Sequence, residues 1–147
     1  MNLLKNCKVT RVSADGAGAA SATPSKGTII DMAGYNGVMF VALMGNVLDT
    51  SAVALKVAGA AVNDTAEMAL LSGSAGGTAG ASDYDDKLVV LDVYKPSQRY
   101  LEAQLFHVTA NAPFDGILAI QYEPNEAPVT QGSSVVASSQ LVSPAVA

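Results

Sequence analysis

Hydrophobic and polar positions along this 147-residue chain follow the short period of strands far more than that of helices. Three runs in its second half set the frame: 88–94 (LVVLDVY), 100–109 (YLEAQLFHVT) and 117–122 (ILAIQY). Each is of strand length, and Val, Leu, Ile, Tyr and Phe dominate them. Lys95-Pro96-Ser97 and Asn111-Ala112-Pro113-Phe114-Asp115-Gly116 separate the runs. Proline has no backbone donor, so Pro96 and Pro113 belong in turns. Breaks this short favour antiparallel neighbours, because a parallel crossover needs a dozen or more residues. The pattern predicts a three-stranded antiparallel meander.

Upstream, residues 7–12 (CKVTRV) alternate apolar and polar positions as a half-buried strand does. Residues 13–25 are rich in Gly, Ala and Ser and read as a flexible loop. Within them Gly16-Ala17-Gly18-Ala19-Ala20-Ser21 has the spacing of a loose dinucleotide-binding turn, but Pro24 and Gly27 would break the helix such a turn requires. Residues 28–32 form a short strand. Asn36-Gly37 then signals a hairpin, since both residues tolerate positive φ. The run 38–44 (VMFVALM) fits a central strand buried on both faces or a segment of buried helix, and the turn residues that bound it closely at Asn36-Gly37 and Gly45-Asn46 favour the strand.

In 51–62, Val53, Leu55 and Val57 share one strand face and Lys56 lies on the other. Residues 65–71 favour one or two helical turns, with Asp64 as N-cap. Residues 72–82, all Gly, Ala, Ser, Thr and Leu-free, read as a mobile or partner-ordered loop. After Tyr122 the composition turns to Pro, Ser and Val. Residues 134–137 and 140–142 have room for short strands, but no sustained period holds the segment together. These elements add up to an all-β fold, an antiparallel β-sandwich or jelly-roll-like barrel of about seven or eight strands with one short helical turn. The β-sandwich domain spans 1–123, and 124–147 is an extended C-terminal arm expected to lie on a neighbouring subunit.

Composition sharpens this picture. Half of the residues are hydrophobic, but only 5% are aromatic and Trp is absent, so the core is built from small aliphatics. Charged residues make up 14%, against about a quarter in ordinary domains. A surface so poor in charge is expected to be covered in part by other chains. A net charge of -5 without a basic stripe argues against nucleic acid as partner. No apolar run approaches the roughly 20 residues of a membrane helix, so no membrane partner is expected. The opening residues lack the apolar core of a signal peptide, and one cysteine, Cys7, permits no intrachain disulfide. A soluble chain made in a reducing cytosol is the expectation.

Candidate chemistry is sparse. Asp83, Asp85 and Asp86 form the densest acidic group, but no later Glu completes a calcium loop, and a solvated turn is the simpler reading. His107, the sole histidine, sits inside a strand beside Leu105, Phe106 and Val108, with no Gly-x-Ser-x-Gly nucleophile turn elsewhere. It reads as a satisfied core or interface histidine. Cys7 reads as a buried or half-buried thiol. Lys95, Arg99 and Tyr100 fit a polar rim or a surface ion pair. Asn63-Asp64-Thr65 matches the glycosylation pattern, which carries no meaning without a secretion signal. Catalytic residues, metal ligands and cofactor-binding residues are all expected to be none.

Three blocks carry a resemblance. They are Ile30-Asp31-Met32-Ala33-Gly34-Tyr35-Asn36-Gly37-Val38-Met39-Phe40; then Asp86-Lys87-Leu88-Val89-Val90-Leu91-Asp92-Val93-Tyr94-Lys95-Pro96 with Arg99-Tyr100; and Thr109-Ala110-Asn111-Ala112 with Asp115-Gly116-Ile117-Leu118-Ala119-Ile120-Gln121-Tyr122 and Ala127-Pro128-Val129-Thr130. In this order, across roughly residues 28 to 130, they resemble small virion proteins of tailed bacteriophages and prophages. In size and setting that family is similar to head decoration, or cement, proteins. The resemblance implies a compact β domain, a homotrimer, the major capsid protein as partner and a place on the capsid surface. It equally admits a neck, tail or fibre-base component. Either way it implies a structural protein and no enzyme.

Overall fold

A strand that alternates apolar and polar residues buries one face only, so a chain of such strands needs a second sheet to close its core. This is how the chain solves the problem in a computed structural model, which describes residues 1–142 and 145–146. One helical turn, α1 (Leu3–Asn6), precedes β1 (Lys8–Ser13), β2 (Ser21–Lys26), β3 (Ile30–Asp31), β4 (Tyr35–Met44) and β5 (Ala52–Ala60). A 3-10 turn (Thr65–Glu67) follows, then β6 (Ala69–Leu70), β7 (Ala75–Thr78), β8 (Leu88–Tyr94), β9 (Tyr100–Val108) and β10 (Phe114–Pro124). Eight of these ten strands have four or more residues.

The strands form two antiparallel sheets. The first has the order β1-β10-β4-β8; the second has β2-β9-β5-β6, with β3 also on β9 and β7 also on β5. The inward residues of β4 (Val38, Phe40, Ala42, Met44) meet Val53, Leu55 and Val57 of β5 and Leu101, Ala103 and Leu105 of β9 in a single core. Each large aliphatic buried there contributes on the order of 1.5–3 kcal/mol. The expected all-β sandwich is therefore what the chain forms, with the core made of small aliphatics around Phe40 and Phe114.

The meander does not form. β8 and β10 belong to the first sheet, where each pairs with β4, whereas β9 lies in the second sheet between β2 and β5. The short connections at 95–99 and 109–113 cross from one sheet to the other instead of joining neighbours. A strand's alternation specifies which face is buried, and both sheets share one core, so the pattern is the same for either placement.

The Asn36-Gly37 hairpin is likewise absent, for both residues lie inside β4. The chain reverses earlier: the Asp31 carboxylate accepts from Ala33 N–H at 2.9 Å, Tyr35 N–H donates to Met32 C=O, and Gly34 takes φ +88°. A side-chain-capped turn two residues upstream thus outcompetes the Asn-Gly signal. Residues before and after it enter different sheets.

Two segments expected as loops are strands. β2 runs through Pro24, which is tolerated because β2 is an edge and its register with β9 slips between Ser21 and Ser25. β7, with the sequence AGGT, pairs with β5 through backbone alone. At 65–71 only Thr65–Glu67 turns helically, capped as expected by Asp64, whose carboxylate accepts from Ala66 N–H at 2.9 Å. Residues 69–70 continue as β6. Beyond Pro124 the described residues contain no strand, so neither 134–137 nor 140–142 forms one.

A candidate assembly surface

The two sheets turn different faces outward. On the second, Lys56, Glu102 and Gln104 point away from the core, and Glu102 is covered by the Thr65 hydroxyl, which donates to it at 2.7 Å, and by the Gln104 amide at 2.8 Å. The centre of that face is polar and satisfied, although Phe106, under Lys56, and Val108 share it. The first sheet has no such chemistry at its centre.

Register places the outward residues of the first sheet in rows across β8, β4, β10 and β1. One row is Val90, Val41, Leu118 and Arg11; the next is Asp92, Met39, Ile120 and Val9. Leu88 stands opposite Leu43 at one end, and Tyr94, Gly37 and Tyr122 form the row at the other. The centre is aliphatic throughout, with charge only at Arg11 and Asp92 on its margins. Leu88 is 60% exposed and Val90 43%. Strand β8 has no further strand on its outer edge among the described residues. An apolar sheet face with an open edge is the usual mark of an interaction surface.

The tyrosine row closes one end of this face. The Tyr94 and Tyr122 rings lie parallel, 2° apart in plane, with centroids 6.4 Å apart. Gly37 leaves room for them: a Cβ there would sit 2.2 Å from the Tyr122 ring. The Tyr122 hydroxyl donates to Asp92 at 2.7 Å and the Tyr94 hydroxyl to Glu123 at 3.2 Å. Burial, and next the Asp92 carboxylate, hold the Tyr122 phenol well above its ordinary pKa. The neutral, donating form is the one the geometry favours.

At the opposite margin the C-terminal arm fastens to its own domain. Asn125 N–H donates to Gly34 C=O, and Val129 N–H to Lys5 C=O, both at 2.8 Å. The Gln131 side chain accepts from Val9 N–H at 3.0 Å and donates to Cys7 C=O at 2.7 Å; the Ser134 hydroxyl accepts from Arg11 N–H at 3.2 Å. Gln131 and Ser134 therefore cover the free edge of β1, while Asn125 and Val129 fasten to the turn before β4 and to α1. Past Ser134 the chain leaves the surface: Val136 is 101% exposed, and Leu141 and Val142 are also largely in solvent.

The residues singled out in the sequence do not converge. His107 is buried at 4% exposure on the inner side of β9, opposite Val53, with Nε2 2.8 Å from the Ser25 hydroxyl and Nδ1 without a hydrogen-bond partner. It is a core histidine with one nitrogen paired, and no carboxylate orients it. The aspartates close turns: Asp83 accepts from Gly80 N–H, Asp85 accepts from Val47 N–H, and Asp86 takes φ +53°. Among the described residues no group of three or more His, Cys, Asp or Glu is placed to hold a metal ion. Cys7 is buried, which raises its thiol pKa.

Arg99 forms a bidentate pair with Asp31, both contacts at 2.9 Å, and lies over the Tyr100 ring. Lys95 lies over Tyr94. Thr65 of the Asn63-Asp64-Thr65 match holds Glu102. Sequence reasoning missed Tyr94, Tyr122 and Gln131. The available signal was that 88–94 and 38–44 are apolar at both parities, which a strand with one solvated face does not need.

Among the described residues no helix is long and apolar enough to cross a membrane. No family model matches the chain, and no curated protein matches it either.

Proposed function

We propose that the chain is a bacteriophage head decoration protein, a non-enzymatic component that self-associates, as a homotrimer, and binds the major capsid protein on the outer surface of the virion. The observation that carries this reading is the aliphatic outer face of the β1-β10-β4-β8 sheet, flanked by an open edge at β8 and an uncharged arm at β1. Such surfaces serve association and leave nothing for catalysis to use. The three sequence blocks that resemble small phage virion proteins place their residues on this sheet and its turns: Val38, Met39 and Phe40, Leu88 to Tyr94, and Ile117 to Tyr122.

The strand pairing also supports the reading. β1 pairs with β10, β2 with β9, β4 with β8, and β5 with β6 and β7, so pairs nest from the ends of the chain inward. A four-stranded and a six-stranded layer with that nesting are jelly-roll-like, an architecture that recurs in capsid proteins. The mechanism is mechanical. A protein that bridges capsid subunits binds the closed lattice and not its separated parts, and so stabilises the shell by linkage. Modest individual contacts suffice when one oligomer grips several subunits, because later contacts are intramolecular.

Synthesis in the host cytoplasm followed by addition to the head is the expected route. The test is copy number in purified virions, measured against the major capsid protein. A ratio near one to one, or one trimer per local threefold, is expected. A handful of copies per particle moves the protein to the neck, tail or fibre base, and absence from virions overturns the reading.

A further inference from the structure

We infer that the outer face of the β1-β10-β4-β8 sheet is covered by the C-terminal tail of a second copy of this chain, through the residues after Ser134. This deepens the self-association part of the reading above and rests on it. It names the surface and its occupant.

Two unsatisfied apolar surfaces exist on one chain, and they fit each other. The first is the aliphatic face at the β8 side, where Leu88 and Val90 protrude beside the partly exposed Leu118 and Ile120 and the buried Val41. The second is the tail, in which Val136, Leu141, Val142 and Val146 stand in solvent. No charged side chain occurs after Glu126, so the tail meets this face without burying an unpaired charge. Copies of a chain with net charge -5 repel one another, and an uncharged contact is the one that like-charged copies tolerate.

Length and area both favour exchange between copies. The tail is pinned at Gln131 and Ser134 to the β1 edge, so it departs from the margin of the face itself. At roughly 3.3 Å per residue, the eight residues from Ser134 to Val142 reach about 26 Å. Four strands at about 4.8 Å spacing are only ~14 Å wide, so the tail is long enough to cross a neighbour's sheet. The flat face alone covers on the order of 250 Å², well short of the ~800 Å² per partner of a stable interface. Face against face is therefore too small, whereas each copy giving a tail and receiving one enlarges the contact without enlarging the domain. Tail-to-face contacts are met by reciprocal exchange in a dimer or, where the rotation closes, head to tail in a ring such as a trimer.

The experiment uses the purified chain without capsids and three proteins: the full chain, a chain ending at Ser134, and Val90→Lys. Val90 points outward from an edge strand, so its substitution leaves the core intact, and circular dichroism verifies that all three fold alike. Sedimentation equilibrium is expected to show an oligomer for the full chain and a monomer for both variants. A monomeric full chain overturns the inference, as does an oligomer that survives in either variant. Mixing Val90→Cys and Leu141→Cys chains, each also Cys7→Ser, is expected to give an inter-chain disulfide. A chain carrying both cysteines that closes only on itself overturns the inference by placing the tail on its own sheet. Because no capsid is present, these outcomes are independent of copy number in virions: a tail-dependent oligomer absent from virions overturns the decoration reading alone.

Discussion

The side chain of Gln131 takes the place of a neighbouring strand for Val9: its oxygen accepts the Val9 N–H at 3.0 Å while its amide donates to Cys7 C=O at 2.7 Å. β1 is an edge strand, and an unpaired edge is a template for unwanted pairing. One amide side chain, reading both polarities of the backbone, blocks that edge where no tenth of a strand is available to do so. It also fixes where the tail departs.

Replacing Gln131 by Ala removes these contacts and a third, at 3.2 Å to Leu4 C=O. Each part-buried hydrogen bond is worth roughly 0.5–1.5 kcal/mol net, and the freed tail regains entropy, so a total loss of about 1 kcal/mol is expected. Hydrogen exchange at Val9 should accelerate while exchange in β4 and β9 follows only the global change. Unaltered protection of Val9 would show that Gln131 is not its partner in solution.

The Tyr122 phenol carries a pH signature. Its folded pKa is raised, so its contribution is fully present below the unfolded value of about 10 and is lost as pH rises through the folded value. Tyr122→Phe is expected to lower stability by roughly 0.5–1.5 kcal/mol at pH 8, through the lost bond to Asp92. Above pH 10 the native protein should lose stability more steeply than the Phe variant. Parallel curves between pH 9 and 11 would refute the assignment of that titration to Tyr122.

How much of this was legible beforehand follows from what alternation encodes. Val53, Leu55 and Val57 announced a strand and its buried face, and Asp64 announced a cap, because both are local effects of side-chain type. Sheet membership was not legible for 88–94, 100–109 and 117–122, since one core serves both sheets. β2 and β7 gave no hydrophobic signal, because SATPSK and AGGT pair through the backbone with strands that supply the apolar side chains. The assembly face was half legible. The unbroken run 38–44 signalled a strand apolar on both sides, but that its outer face stays open depends on which strands flank it. The role of Gln131 lies 122 residues from Val9 in sequence and had no local trace.

Gly37 and Tyr122 should behave as a coupled pair. A methyl at Gly37 collides with the far end of the Tyr122 ring, which is able to swing away at the expense of its bond to Asp92 and its stacking on Tyr94. Gly37→Ala is therefore expected to destabilise the native chain, but to be neutral or stabilising in a Tyr122→Ala background, where Ala is the better strand residue. Neighbours of this kind couple by roughly 0.5–3 kcal/mol. Additive effects in a double-mutant cycle would remove the packing explanation for the glycine.

Acid sensitivity at the other margin is expected to be slight. The Arg99 guanidinium, hydrogen-bonded to Asp31, holds that carboxyl below its usual pKa. A depressed folded pKa gives stability that is present above the unfolded value of about 3.9 and is lost as pH falls through the folded one. The side chains are 56% and 43% exposed, so solvent screens the pair and its worth is small. Asp31→Asn should cost little at pH 7, less at high salt, and nothing once pH has fallen below the folded pKa of Asp31. A cost that persists in acid would point away from the ion pair to the turn that Asp31 caps through Ala33 N–H.

Two truncations separate the parts of the C-terminal arm. A chain ending at Ser134 keeps every fastening to the β1 edge, from Val129 N–H on Lys5 to the Ser134 hydroxyl on Arg11. At a concentration dilute enough to leave both chains monomeric, its urea midpoint should equal that of the full chain. A chain ending at Pro124 retains β10 but loses all of those contacts and uncovers β1 from Cys7 to Arg11. It should fold with a loss of roughly 1–3 kcal/mol, six hydrogen bonds at about 0.5–1.5 kcal/mol each being offset in part by the entropy the arm regains. It should also aggregate faster than the longer chain, because an open edge now faces solvent. If both truncations are as stable as the full chain, residues 125–134 hold the edge in geometry only, and the anchored half of the arm contributes nothing to the fold.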